Sequence, residues 1–165
     1  MEETENQKLV LNRLKNFDVE LFIKREDKIH PLISGNKYRK LKYNIAAALA
    51  GNKDTLLSFG GAFSNHISAV AAVGKMHNLK TIGIIRGDEL GKNPEESIQS
   101  NPTLQLAEAN GMRFKFVSRT DYRLKKETFF IEQLKDEFGD FYLIPEGGTN
   151  ALAIKGCEEI LKAKD

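Results

Sequence analysis

Cysteine is nearly absent. Cys157 is the one thiol in 165 residues, so an internal disulfide framework is excluded and the composition suits a reducing compartment, the cytoplasm. Histidine is scarce as well: His30, His66 and His77 are scattered, and with a single cysteine they offer no metal-ligand spacing, so no metal is expected. Charge of one sign is not in excess. The 25 basic and 23 acidic side chains leave a net +2 and are interleaved, which argues against nucleic acid or a membrane surface as a partner. No apolar run approaches the ~20 residues of a membrane-spanning helix, and the opening MEETENQK is polar and acidic, unlike a secretory signal. Neither G-x-x-x-x-G-K-[ST] nor G-x-G-x-x-G occurs, which weakens nucleoside-triphosphate and dinucleotide readings.

What is present is an alternation. The length suits one domain with a real core. Val19–Lys24 (VELFIK) is rich in strand formers, and from Lys37 the residues Tyr38, Leu41, Ile45 and Leu49 fall at helical spacing up to Gly51. Thr55–Phe59 (TLLSF) reads as a buried strand, followed by GGAFSNH and an Ala/Val-rich helix to about His77. Thr81–Ile85 and Arg113–Val117 read as further strands, with a helix between them opened by Asn101-Pro102 and ended by Gly111. Gly87–Ser100 is polar and predicts a surface loop or irregular helix. Lys125–Phe138 predicts a helix, Phe141–Ile144 a strand, and Asn150–Lys162 a closing helix. Strands separated by helices imply right-handed crossovers and an α/β fold, a parallel sheet flanked by helices. The loops GGAFSNH and EGGTN both follow strands and precede helices, so they could share one mouth of that sheet.

Three segments could carry chemistry. In SGNKYRKLK, four cations fall within Lys37–Lys42 at the start of a predicted helix, where the macrodipole disfavours positive charge. A solvated basic face is the plainer reading, and a bound anion is the sharper one. A lysine among cations also has a lowered pKa and becomes a usable amine nucleophile. In GGAFSNH, the glycines and the helix start favour an anion such as carboxylate or phosphate, while Ser64 or Asn65 could equally be a helix cap. His66 could be a core histidine. A Ser64/His66 nucleophile–base pair is disfavoured by the two-residue spacing and by the lack of a G-x-S-x-G elbow. EGGTN could bind an anion or form a tight turn with an Asn or Thr cap.

Taken together, SGNKYRKLKY, a strand and SFGGAFSNH resemble the pyridoxal-phosphate enzymes comprising 1-aminocyclopropane-1-carboxylate deaminase and D-cysteine desulfhydrase, within the tryptophan-synthase-like fold type II. LFIKRED and IPEGGTN resemble further family blocks, so the likeness runs from about Val19 to Gly156, as an N-terminal portion. The resemblance implies that Lys37 takes the cofactor aldehyde on its amine, that Lys40 reaches the cofactor phosphate, and that Ser64 is the nucleophilic or proton-handling hydroxyl. It implies cofactor and substrate contacts from Asn65 and a substrate contact from His66. It further implies a smaller domain over 43–142, with 1–42 and 143–165 belonging to a larger, incomplete one, and a full-length form that is a homo-oligomer acting on a small amino acid. Phe63, Ile67-Ser68 and Ser34 depart from the family pattern near the substrate carboxylate. Desulfhydration of a D-cysteine-like substrate is therefore as compatible as ring opening of aminocyclopropane carboxylate. Family members are roughly twice as long, so a non-catalytic truncated domain, binding an anion weakly or needing a complementing chain, is the competing reading.

Overall fold

The computed structural model describes residues 3–163. Its centre is a parallel sheet built from the four apolar runs: β3 (Thr55–Gly61), β4 (Lys80–Arg86), β5 (Met112–Val117) and β6 (Tyr142–Ile144), in the order β5-β4-β3-β6. Ahead of it, β1 (Asn6–Leu9) and β2 (Leu21–Lys24) form a separate antiparallel pair. The helices are α1 (Asn36–Ala50), α2 (Asn65–Met76), α3 (Pro94–Gln99), α4 (Pro102–Ala109), α5 (Arg119–Arg123), α6 (Thr128–Phe138) and α7 (Ala151–Cys157).

Strands β3 and β4 are apolar on both faces because both faces are covered. Side chains alternate between two cores. Leu56 and Ile85 join Ile67, Val70 and Ala71 of α2, Leu41 and Ile45 of α1 and Leu104 of α4. Leu57, Phe59, Ile82 and Ile84 face the other way, onto Phe130 and Leu134 of α6 and Tyr122 of α5. Small residues set the helix spacing: a Cβ on Gly74 would come within 2.2 Å of Thr81 Cγ2, and one on Gly156 within 2.0 Å of the Arg39 carbonyl oxygen. Helix α2 thus lies directly on the sheet, and α7 directly on α1.

Two polar devices fasten the periphery. Arg39 is buried and forks onto Glu26, with Nε to Oε2 at 3.0 Å and a terminal nitrogen to Oε1 at 3.1 Å. Glu159 receives Lys42 at 2.5 Å and the Tyr43 hydroxyl. This second contact accompanies a departure from the expected closing helix: α7 ends at Cys157, and the next residues turn back toward α1. The polar stretch 87–100 contains α3, which opens with Pro94 at its first position, after Asn93 at the N-cap. The helix expected from Lys125 begins at Thr128 and is preceded by the short α5. Apolar side chains are exposed along β2 and its approach, among them Phe17, Val19, Phe22 and Ile23, and at Ile154 and Leu161. Among the described residues no helix is long and apolar enough to cross a membrane.

Candidate active site

Near the end of β3, Gly60 lets the start of α2 approach the strand: an added Cβ would lie 2.4 Å from Ile67 Cγ1. Ser64 then starts α2 in extended conformation (φ −80°, ψ 112°), yet its side chain makes no capping bond. Capping is therefore not what Ser64 does here, in contrast to Asn101 and Asn150, whose side chains accept from the first-turn N–H groups of α4 and α7. The Ser64 hydroxyl has no hydrogen-bond partner among the described residues.

Helix α1 resolves its four cations into two faces. Arg39 and Lys42 are ion-paired to Glu26 and Glu159. Lys37 and Lys40, one turn apart on another face, meet no carboxylate among the described residues. Lys37 Nζ donates to Asn36 Oδ1 at 3.1 Å, and Lys40 Nζ to Thr149 Oγ1 at 2.9 Å and the Gly147 carbonyl at 3.4 Å. Partial burial, with the neighbouring Lys40 charge, holds the Lys37 pKa below the ordinary lysine value. Lys37 faces an open groove of about 420 Å³ shared with Ser34, Asn36, Asn65 and Ser68.

The EGGT loop closes the site from beneath. Gly147 and Gly148 follow one another with φ of 68° and 72°, a left-handed pair that other residues adopt only at a cost. Gly148 also packs closely: a Cβ there would sit 3.1 Å from His66 Cε1 and 3.6 Å from Lys40 Cβ. His66 is the point where the three sequence blocks meet. Its ring is only 1% exposed, and Nε2 lies 2.8 Å from Ser58 Oγ, which in turn reaches the Ile144 carbonyl at 2.8 Å. Nδ1 is buried without a hydrogen-bond partner. Burial, then the charges of Lys37 and Lys40, push the His66 pKa down to about 4, so the ring is neutral at pH 7. The His66 ring is thus packed between Ser58 and Gly148.

Ser64 itself opens elsewhere. On the far side of the GGAFSNH loop lies a hollow of about 860 Å³ at the carboxyl ends of β3, β4 and β5, lined by Ser64, Arg86, Glu89, Arg119, Tyr122 and Glu146 among others. Lys37 and Asn65 are thus brought together in one groove, and the adjacent Ser64 borders a second depression. Sequence reasoning missed Arg86, Tyr122, Glu146 and Ser58. Arg86 carried one usable signal, a charge at the carboxyl end of an apolar parallel strand. Among the described residues no cluster of three or more potential metal ligands occurs.

Comparison with known proteins places this geometry. No family model matches the chain. A protein of Thermotoga maritima named for 1-aminocyclopropane-1-carboxylate deaminase is 31% identical over 159 residues, covering 94% of this chain and 48% of the relative. The mitochondrial bifunctional D-cysteine desulfhydrase/1-aminocyclopropane-1-carboxylate deaminase of Arabidopsis thaliana is 33% identical over 144 residues, 85% of this chain and 35% of the relative. The crystal structure of an ACC deaminase homologue superposes with a TM-score of 0.75 at 28% identity, over 96% of this chain and 46% of the other. A hydrogen sulfide-producing enzyme of Fusobacterium nucleatum shares the fold, with a TM-score of 0.57 at 20% identity over 85% of this chain and 41% of the other. The chain spans about half or less of the length of each of these proteins. In sequence over most of its length, and in fold, the chain is similar to 1-aminocyclopropane-1-carboxylate deaminase and D-cysteine desulfhydrase proteins.

Proposed function

We propose that the chain carries the lysine-bearing half of a pyridoxal-phosphate enzyme that deaminates or desulfhydrates a small amino acid, of the aminocyclopropane-carboxylate or D-cysteine type. The observation that carries this reading is the Lys37/Lys40 pair. Two ammonium groups on one helix face, with no carboxylate among the described residues to neutralise them, are costly unless they meet an anion or one of them loses its proton. Both conditions fit a cofactor that brings an aldehyde and a phosphate. The donor set is compatible: an amine with lowered pKa at Lys37, a cation at Lys40 and an amide at Asn65.

Pyridoxal phosphate, when bound, supplies an electron sink for charge developing on the substrate carbon. The chain's own residues do the rest. The depressed pKa gives Lys37 a larger fraction of free amine for attachment, and the same amine, once released, can hold or move a proton at the substrate carbon. Lys40 balances phosphate charge. Asn65, across the groove, orients the ring oxygen or the substrate carboxylate. Ser64, whose hydroxyl is not spent on capping, handles a proton or attacks from the loop. His66 positions this set: as a neutral ring it packs between Gly148 and Lys40 without adding a third cation.

In this reading residues 43–142 form the smaller domain, and 1–42 and 143–165 belong to the larger one. The exposed apolar residues of β2 and of the segment after α7 support packing against further protein, including other copies in a homo-oligomer. Lys40 and one glycine loop supply only part of a phosphate cup, so the chain alone is expected to hold the cofactor weakly. The test is an absorbance titration with pyridoxal phosphate. Lys37→Ala should abolish the spectral change, whereas Ser64→Ala should keep it while slowing turnover in a complemented or full-length form. An unchanged spectrum in Lys37→Ala contradicts the reading.

A further inference from the structure

The β1–β2 ribbon stands apart from the parallel sheet, and its two outer edges differ in character. The Arg25 N–H donates to the Glu5 carbonyl at 3.0 Å, in register with the Gln7↔Ile23 and Leu9↔Leu21 pairs. In an antiparallel ladder, pairs that exchange hydrogen bonds alternate with pairs that do not. Leu21, Ile23 and Arg25 therefore turn their backbone groups toward β1. Phe22 and Lys24 turn theirs to the outer edge of β2, and Glu20 continues the alternation. Among the described residues no strand pairs with that edge. The corresponding outward positions of β1 are Asn6 and Lys8, polar side chains of the kind that blunt a sheet edge. On β2 they centre on Phe22, which is 49% exposed and flanked by the exposed Leu21 and Ile23.

The segment Glu20–Lys24, ELFIK, is its own antiparallel complement. Set against a second copy about a two-fold axis through Phe22, its outward backbone groups meet outward groups. Phe22 then exchanges bonds with the partner's Phe22, and Glu20 with the partner's Lys24. Leu21 packs against the partner's Ile23, and Leu9, the neighbour of Leu21 across the ribbon, extends the apolar row on that face. Unlike charges fall on opposite positions at both ends, where cross-strand pairs are favourable. Glu20 accepts Lys8 across the ribbon and is still 63% exposed, so it can meet a second cation. The register is specific. A slip of one residue would set outward groups against inward ones, and a slip of two would put Glu20 or Lys24 opposite Phe22.

We propose that the outer edge of β2 is the interface for a second copy of this chain, the two ribbons joining as one four-stranded antiparallel sheet in the order β1-β2-β2-β1. The contact is isologous and closed, because the strand left outermost on each side is again the polar β1. The proposal does not rest on the pyridoxal-phosphate reading, and it gives a position to the homo-oligomer expected there. Sedimentation equilibrium of the 165-residue chain without cofactor is the test. The parent should dimerise. Each end contact occurs twice, so Glu20→Lys sets like charges opposite each other at both ends and should weaken association about tenfold or more. Lys24→Glu should do the same. An equimolar mixture of the two variants restores both unlike pairs, as does Glu20→Lys with Lys24→Glu in one chain, and each should dimerise as the parent does. That recovery also shows that the single variants still fold. A parent that stays monomeric at its highest soluble concentration overturns the proposal and leaves the edge to a different polypeptide. Single variants that associate as the parent does, or a mixture that associates no more tightly than its components, overturn it as well. Because neither Lys37 nor a cofactor takes part, a failure here is separate from a failure of Lys37 to react with pyridoxal phosphate.

Discussion

Lowering the pH from 7 to 5 should weaken the fold through one ring, that of His66. In the native chain its pKa is about 4, against 6.5 when unperturbed, because burial removes water from the imidazolium and two lysines repel it. The unfolded chain therefore takes up this proton at a pH where the folded chain refuses it. Stability is complete above the unfolded pKa and is lost as pH falls toward the folded one. Linkage gives a loss of about 2 kcal/mol by pH 5 and about 3 kcal/mol by pH 4. The window from 7 to 5 isolates this group from carboxylates such as Glu26, whose pKa lies below 4.5. For urea unfolding, with a slope of about 2 kcal/mol/M, the midpoint should fall by roughly 1 M between pH 7 and pH 5. His66→Gln, which cannot titrate, should remove most of that difference whatever it does to stability at pH 7. Equal pH dependence in the two proteins would refute the reasoning. Should His66→Gln not fold, NMR titration of the His66 ring decides: a midpoint near the ordinary histidine value contradicts the account.

Two structural predictions accompany this one. Gly156→Ala places a methyl 2.0 Å from the Arg39 carbonyl oxygen, so α7 must lift from α1, at a cost of about 3 kcal/mol, read as a lowered urea midpoint. Arg39→Ala removes the buried partner of Glu26 and should cost about 3–5 kcal/mol. The double variant Arg39→Ala, Glu26→Gln should recover part of that loss, and no recovery would show that the pair is not what holds the β2 segment to α1.

Much of the fold was legible because the sheet is buried on both faces. TLLSF and TIGII are short continuous apolar runs with no competing helical period, and the glycine that must abut a strand or helix carries its own signal at Gly60 and Gly74. The pieces that escaped are polar and short. β1 is NQKL, a pair partner with no alternation, and α5 is RTDYR, held by a Ser118 cap and a single buried tyrosine. The end of α7 was not readable, since Glu159 finds Lys42 and Tyr43 more than a hundred residues away. The same non-local chemistry divides the site. Helical spacing puts Lys37 with Lys40 and Arg39 with Lys42, but only the placement of Glu26 and Glu159 decides which pair is neutralised. His66 is buried because Ser58, within an apolar strand, offers it a partner, and no local pattern announces that contact. The hollow at the carboxyl ends of β3–β5 likewise depends on Tyr122 and Glu146 arriving from separate elements.

The central claim is that Lys37 is the reactive amine of a pyridoxal-phosphate site, its pKa lowered by partial burial and by Lys40 while Arg39 and Lys42 of α1 are ion-paired. Its most direct test is to treat the chain with pyridoxal phosphate, fix the adduct with borohydride, and map the labelled peptide. The account predicts label on the peptide carrying Lys37, with far less at the ion-paired Lys42 and at exposed lysines such as Lys75. Label distributed evenly over surface lysines, or concentrated on a peptide without Lys37, would contradict it.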